Sequence, residues 1–180
     1  MKKLLLLLTS VISLSLFSNA QKGNNQIGVA FEAGLPTGDF GTFFNTGYGG
    51  TLKGLLGVGT TGQVTFTSGY VSFKEKGSTS GNEASINIIP VLLGFRDNLN
   101  GLYIEPQLGY GSYSSKFTEN GMSGSDSQGA FTWAIGLGYQ VSGFEMGVRY
   151  QSGKLPDATS SIGYVGIHVG YNFSLNGKSK

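Results

Sequence analysis

The octet FEMGVRYQ, which spans residues 144–151, places a carboxylate and a guanidinium on the same side of an alternating pattern. Successive side chains of a β-strand point to opposite faces. Glu145 and Arg149 would therefore share one face of a strand. Opposite charges on one face can form ion pairs, and their strength depends on whether that face meets water or lies inside the protein. The other face is entirely apolar: Phe144, Met146, Val148 and Tyr150.

Residue types give little support to catalytic or cofactor chemistry. His168 is the only histidine and the chain has no cysteine, so clusters of these metal ligands are excluded. Residues 57–62 read GVGTTG and fit the G-x-G-x-x-G pattern. That pattern binds a dinucleotide only where it opens a helix, and here another alternating segment follows. We predict a hairpin turn there, and no catalytic residue, cofactor or metal site.

The amino terminus has the features of a secretory signal peptide. Lys2 and Lys3 precede an apolar stretch, and Ser18-Asn19-Ala20 supplies small residues before a cut after Ala20. We expect residues 1–20 to be removed and residues 21–180 to form one domain. Loss of the two lysines leaves equal numbers of basic and acidic residues, which argues against a nucleic-acid partner.

Eight segments alternate with a period of two residues, and helical periodicity is not found. Only 12% of the residues are charged and 31 are glycine, whereas about a quarter of a typical soluble domain is charged. Most of the segments reach the roughly 9–11 residues that a tilted strand needs to cross a bilayer. The predicted strands are Gln26–Leu35, Tyr48–Val58, Gln63–Phe73, Ser85–Arg96, Leu102–Tyr113, Ala130–Val141, Phe144–Gln151 and Ser161–Phe173.

The connections between these strands alternate in length. Strict alternation places all long loops at one end of an up-and-down array, as in bacterial outer-membrane barrels. We therefore predict an all-β fold, an eight-stranded antiparallel up-and-down transmembrane β-barrel in the outer membrane, in contact with its lipid. The predicted long connections are 36–47, 74–84, 114–129 and 152–160, and the tight turns are 59–62, 97–101 and 142–143.

Composition decides which strand face meets lipid. A secreted lipocalin is also an eight-stranded barrel, with an apolar cup inside and a polar exterior. Within residues 130–141, however, the less apolar face consists of Ala, Thr, Gly and Gln, a poor solubilising surface. Such residues suit the interior of a narrow barrel that side chains fill. We predict that the apolar faces meet lipid; residues 86–96 are apolar on both faces, so their orientation stays open.

The inward faces then carry charges of both signs, which predicts ion pairs inside the barrel. Glu32 is expected to reach Lys53 on the neighbouring strand. Arg149 lies four residues from Glu145, roughly 13 Å along a strand, so it is expected to pair across the lumen instead. The predicted lumen network consists of Glu32, Lys53, Glu105, Glu145, Arg149 and His168, with Arg96 as a further candidate.

Residues 26–173 resemble the small eight-stranded outer membrane protein β-barrel domain family, the OmpA/OmpX-like and OmpW-like barrels. The most specific part is Gly170-Tyr171-Asn172-Phe173, which is similar to the aromatic-ended last strand that the barrel assembly machinery reads in that family. The resemblance implies that Tyr171 and Phe173 form this assembly signal. In the usual pattern the final aromatic is the carboxyl terminus, whereas here a short tail, residues 174–180, follows.

Some barrels of this kind are lipid A deacylases, in which a histidine and a serine two residues later share the lipid-facing wall. Here His168 is predicted to point inward, and the residue two positions later is Gly170. Both observations favour a structural histidine in a protein that is not an enzyme.

The favoured function is that of a monomeric integral barrel with a packed polar lumen, whose exposed loops have a structural or interaction role toward an extracellular or envelope partner. A narrow pore or a route for small hydrophobic solutes is the alternative, suggested by inward-facing glycines. An accessory barrel of a secretion or adhesion system is a further one. Phe40, Phe43 and Phe44 in the first long loop are predicted either to contact lipid headgroups or a partner, or to pack within the loop.

Overall fold

The computed structural model describes residues 24–58, 60–78, 82–119, 122–156 and 158–175. The predicted signal peptide (1–20) and residues 176–180 of the predicted tail lie outside this part of the chain. The elements are β1 (Gln26–Thr37), α1 (Gly38–Phe43), β2 (Gly47–Val58), β3 (Gly62–Lys74), β4 (Asn82–Leu99), β5 (Leu102–Glu119), β6 (Met122–Val141), β7 (Phe144–Gly153) and β8 (Ile162–Ser174).

The strands form a closed barrel in which each strand pairs antiparallel with the next and β8 pairs with β1. The predicted eight-stranded up-and-down topology is confirmed. The β4–β5 and β6–β7 connections are two-residue turns at Asn100-Gly101 and Ser142-Gly143, in which all four residues have positive φ. Such turns match the twist of the strands that they join. The first of them is shorter than the predicted connection 97–101.

Burial alternates along the strands as predicted. In β7, Glu145 is 5% exposed and Phe144 is 65% exposed, so the charged face lies inside the barrel and the apolar face outside. The orientation of β4, which the sequence left open, is now defined. Ile88, Leu92 and Arg96 lie inward and are fully buried.

Strands β4, β5 and β6 continue well past the ends of their neighbours. They contain 18, 18 and 20 residues, and the β5–β6 pairing runs from Leu102 and Tyr139 to Glu119 and Met122. The prediction of a loop over residues 114–129 is therefore wrong. These residues are serine- and glycine-rich and show no apolar alternation because neither face contacts the acyl chains of the membrane. We call residues 82–88, 112–119 and 122–129 the projecting sheet.

The lumen is closed at the long-loop end by apolar side chains. Helix α1, which the periodicity did not predict, buries Phe40 against Phe73, with ring centroids 5.0 Å apart. Phe73 also contacts Tyr164 at 5.2 Å. Gly47 leaves room for the Phe73 ring, since a Cβ there would lie 2.5 Å from its Cδ1. We call this cluster the apolar plug: Phe40, Val71, Phe73, Ile88, Tyr113, Ala130 and Tyr164.

Within the described parts of the chain, no helix is long and apolar enough to cross a membrane.

Two phenylalanines of α1 provide a matched test of the plug. Phe40 is 6% exposed and Phe43 is 59% exposed. Phe40→Ala should lower the free energy of unfolding by about 3–5 kcal/mol, because it leaves a cavity beside Phe73. Phe43→Ala should change it by less than about 0.5 kcal/mol. The temperature at which the compact band disappears from unboiled gels measures the difference, and equal values for the two variants would show that α1 does not seal the lumen.

Candidate functional site

The barrel interior concentrates ionisable side chains from five strands. Strand alternation turns each of them inward, away from the lipid-facing wall. They comprise three acidic and three basic residues, all nearly or fully buried: Glu32 on β1, Lys53 on β2, Arg96 on β4, Glu105 on β5, and Glu145 and Arg149 on β7.

Arg96 is the centre of this arrangement in the half of the lumen near the tight turns. Its Nε and Nη2 donate to Glu105 Oε2 at 3.0 and 2.7 Å. Its Nη1 and Nη2 donate to Glu145 Oε2 and Oε1 at 2.8 and 3.0 Å. The planar guanidinium thus binds two carboxylates at once, which an ammonium group could not do with the same geometry. Its Cζ also lies 3.7 Å from the centre of the Tyr103 ring, within the range of a cation–π contact.

Lys53 is the second cation of this cluster. Its Nζ lies 3.0 Å from Glu105 Oε2 and 3.4 Å from Glu145 Oε1. Two carboxylates therefore face two cations, which removes the net charge of the cluster. Neutral donors occupy remaining acceptor positions: Gln107 donates to Glu105, and Tyr103 and Asn172 donate to Glu145. Burying charges is favourable only when such additional hydrogen bonds complete the pairing.

A separate ion pair lies nearer the middle of the lumen. Arg149 Nη2 donates to both carboxylate oxygens of Glu32, at 2.9 and 2.8 Å. The pair joins β7 to β1 across β8, where Gly166 stands opposite Arg149. A Cβ at Gly166 would lie 2.5 Å from Glu32 Oε1. The absence of a side chain at Gly166 is therefore what lets the carboxylate reach the guanidinium.

His168 lies beside the Arg96 cluster. Its Nε2 is 2.9 Å from the Tyr103 hydroxyl and 3.2 Å from Glu145 Oε1. The His168 side chain is buried inside the barrel and does not face lipid. Within the described residues there is also no group of three or more potential metal ligands. The site as a whole is a set of buried, mutually neutralised charges.

The pairing predicted from the sequence is partly wrong. Glu32 was expected to pair with Lys53, but Lys53 stands opposite Gly28 and Glu32 stands opposite Gly49. This register separates them by four residues, about 13 Å along the strand. Arg149 pairs with Glu32, which lies two strands away along the barrel wall.

Sequence reasoning missed the role of Tyr103 and gave Arg96 too small a part. Tyr103 lies over Gly138 and Gly147, where any Cβ would collide with its hydroxyl oxygen. These two glycines pair with each other across β6 and β7, which creates a recess for the ring. The sequence did contain a signal for this contact. The two-residue turn at Asn100-Gly101 fixes the register of β4 and β5, and this register places Arg96 opposite Glu105.

The aromatic residues predicted as an assembly signal and those predicted as loop contacts lie in two different environments. Tyr171 and Phe173 are on the outer wall at the tight-turn end, with ring centroids 4.8 Å apart, and Phe144 lies 5.0 Å from Tyr171. In the first loop, Phe40 is buried and Phe44 packs partly buried against the plug. Only Phe43 of the three loop phenylalanines is exposed, so loop packing accounts for the other two.

Fold and lumen together define an integral outer-membrane β-barrel with a lipid-facing apolar wall and an internally neutralised interior. The chain matches the model of the outer membrane protein beta-barrel domain family over residues 4–175, and it belongs to that family. This membership places the protein in the outer membrane, in contact with its lipid, and supports a structural or interaction role. Among curated proteins, no sequence matches this chain.

Several solved structures share the fold. The attachment invasion locus protein Ail of Yersinia pestis, crystallised with the heparin analogue sucrose octasulfate, is 20% identical with a TM-score of 0.67, over 85% of this chain and 100% of that chain. Neisserial surface protein A is 8% identical with a TM-score of 0.59, over 84% and 97%. The N-terminal barrel domain of Pseudomonas aeruginosa OprF is 12% identical with a TM-score of 0.56, over 84% and 100%. At these identities the similarity is one of fold.

The Arg149–Glu32 pair can be tested by a double-mutant cycle. Arg149→Met should lower the free energy of unfolding by about 3–5 kcal/mol, because it leaves the Glu32 carboxylate buried without a cation. The double change Glu32→Leu with Arg149→Met should recover most of this loss. Lys154→Met, at an exposed position after β7, serves as the control. Melting of the compact gel band reports all variants, and an Arg149 variant as stable as the Lys154 variant would mean that the pair is not buried in the membrane-inserted protein.

Proposed function

We propose that this protein is a closed, non-conducting barrel that presents its projecting sheet and loops to an extracellular or envelope partner. The observation that carries the proposal is the filling of the lumen in two layers. The layer near the tight turns consists of ion pairs around Arg96, and the layer at the long-loop end is the apolar plug. A cavity of about 20 Å³ remains among Glu32, Lys53, Glu145 and Arg149, room for roughly one water molecule.

The projecting sheet supports an interaction role. Strand β7 pairs with β6 only over residues 132–141, and none of the described strands pairs with the outer edge of residues 122–131. An unpaired strand edge offers backbone donors and acceptors to another chain. The sequence MSGSDSQGAF of this segment has no lysine and no proline, and Asp126 is its one charged residue, so the edge is only weakly protected against pairing. The name of the similar barrel Ail, an attachment invasion locus protein, is in keeping with such a role.

The proposal includes a monomer without enzymatic activity. A closed barrel has no strand edge within the lipid-facing wall that a second copy would need to cover. His168 contacts Tyr103 and Glu145 in the interior, where a lipid substrate would have no access. Unaltered lipid A composition in cells that produce the His168→Ala variant would agree with this assignment, and a change would contradict it.

Electrical recording tests the closed lumen. In planar lipid bilayers the folded protein should give no steady conductance steps, because two independent layers block the path. The double variant Phe40→Ala with Phe73→Ala, which opens only the apolar plug, should also remain silent since the ion pairs persist. A known porin in the same bilayer is the positive control. Steady conductance by the unaltered protein would refute the proposal and favour the narrow-pore alternative.

Assembly by the barrel machinery is proposed to depend on the last strand. Phe173 and Phe144 lie in one aromatic cluster with Tyr171, and both are well exposed on the outer wall. Phe173→Ala and Phe144→Ala should therefore fold with similar yield into pure lipid vesicles. In cells, Phe173→Ala should reduce the folded protein in the outer membrane several-fold more than Phe144→Ala. Equal amounts of the two variants in the outer membrane would contradict a special role of Phe173 in assembly.

A further inference from the structure

The outward face of the projecting sheet is a direct continuation of the lipid-facing wall. On β5 the apolar outward residues end at Tyr110, and the next outward residues are Ser112 and Ser114. On β4, Ile89 is followed on the same face by Asn87. The Tyr70 hydroxyl donates to Asn87 Oδ1 at 2.7 Å. The wall thus changes from apolar to polar within one residue pair, which locates the boundary between acyl chains and headgroups.

Two lysines stand on the same face two rows beyond this boundary, about 13 Å along the strands from Tyr70 and Ile89. The strand registers place Lys74 beside Ser85, Ser85 beside Lys116, and Lys116 beside Ser125. Neighbouring strands are about 4.8 Å apart, so the two lysine backbones are about 10 Å apart with a serine between them. Both lysines are exposed. We call this row together with its neighbours the lysine–serine face: Ser72, Lys74, Ser85, Asn87, Ser114, Lys116, Ser125 and Ser127.

Hydroxyl groups order this face without neutralising it. Ser114 Oγ donates to Ser127 Oγ at 2.9 Å, and Ser112 Oγ lies 3.2 Å from the same atom. The ion pairs found among the described residues all lie inside the barrel. The carboxylate nearest in register on this face, Glu83, stands one row farther from the membrane, opposite Thr118. Two ammonium groups therefore face outward above the acyl-chain region.

We propose that the lysine–serine face binds the phosphate-bearing sugar headgroup of an outer-leaflet glycolipid, of which lipid A is the probe. A lipid whose acyl chains contact the apolar wall below must lay its headgroup against this face. Ammonium groups are point-charge ligands for phosphate, and serine hydroxyls can donate to and accept from sugar hydroxyls. This partner lies in the same membrane, so the proposal is independent of the role suggested for the free edge of β6.

The test uses the full-length folded protein in phosphatidylcholine vesicles that contain increasing mole fractions of diphosphorylated lipid A. The unfolding temperature, read from the compact gel band, should rise with the lipid A fraction and reach a plateau. Lys74→Gln and Lys116→Gln should each raise the lipid A fraction at half-maximal effect about five-fold, and the double variant about 25-fold. Lys154→Gln, an exposed lysine outside the projecting sheet, is the matched control and should respond like the unaltered protein.

In vesicles without lipid A all four variants should melt together with the unaltered protein, which separates lipid binding from any loss of fold stability. Inorganic phosphate added to these vesicles should give no rise, because only a membrane-anchored phosphate is held at this height. An unchanged lipid A response in the double variant would overturn the proposal. So would an equal loss in the Lys154 variant, or a rise of the same size with inorganic phosphate.

Discussion

Mutual neutralisation of three acidic and three basic side chains in a narrow lumen is the interaction on which the arrangement of the strands depends. An eight-stranded barrel has an interior only wide enough for side chains, so bulk water cannot solvate these charges. Arg96 instead neutralises two carboxylates, those of Glu105 and Glu145, and so links β4 to both β5 and β7. Arg149 and Glu32 connect β7 to β1 across β8. Charge pairing thus specifies the closure of the barrel in addition to the backbone hydrogen bonds, because a slip in register would leave a buried charge without its partner.

Part of the high glycine content follows from the same narrowness. The cross-section of the barrel is nearly constant. A large inward side chain therefore fits only where a neighbouring inward position is a glycine, which has no side chain. Gly138 and Gly147 accommodate the Tyr103 ring, Gly166 accommodates the Glu32 carboxylate, and Gly47 accommodates Phe73. Inward glycines suggest an empty lumen when only the sequence is considered. In the structure these four leave the space that the inward side chains of Tyr103, Glu32 and Phe73 occupy.

Strand positions were predictable because lipid on one side and a packed lumen on the other impose strict alternation. The octet at 144–151 shows this most clearly, and β7 begins at the predicted residue, Phe144. Ion-pair partners were not predictable, because partner choice depends on register and reach. Glu32 and Lys53 lie on adjacent strands yet are four residues out of register, whereas Arg149 reaches Glu32 over Gly166. Residues 114–129 of the projecting sheet escaped prediction for a related reason, since contact with acyl chains, the constraint that creates the alternating pattern, is missing on both faces there.

Polarity runs in opposite directions on the two faces of the same strands. Along β5 the inward residues change from Glu105 near the tight turn to Tyr113 at the plug, while the outward residues change from Ile104 to Ser114. The ion pairs therefore lie at the level where the outer wall is apolar, and the plug lies where the outer wall has become polar. Helix α1 covers the plug from the long-loop end. The charges are thus separated from lipid by the wall and from water at the long-loop end by the plug, and the low dielectric constant that results strengthens each pair that remains complete.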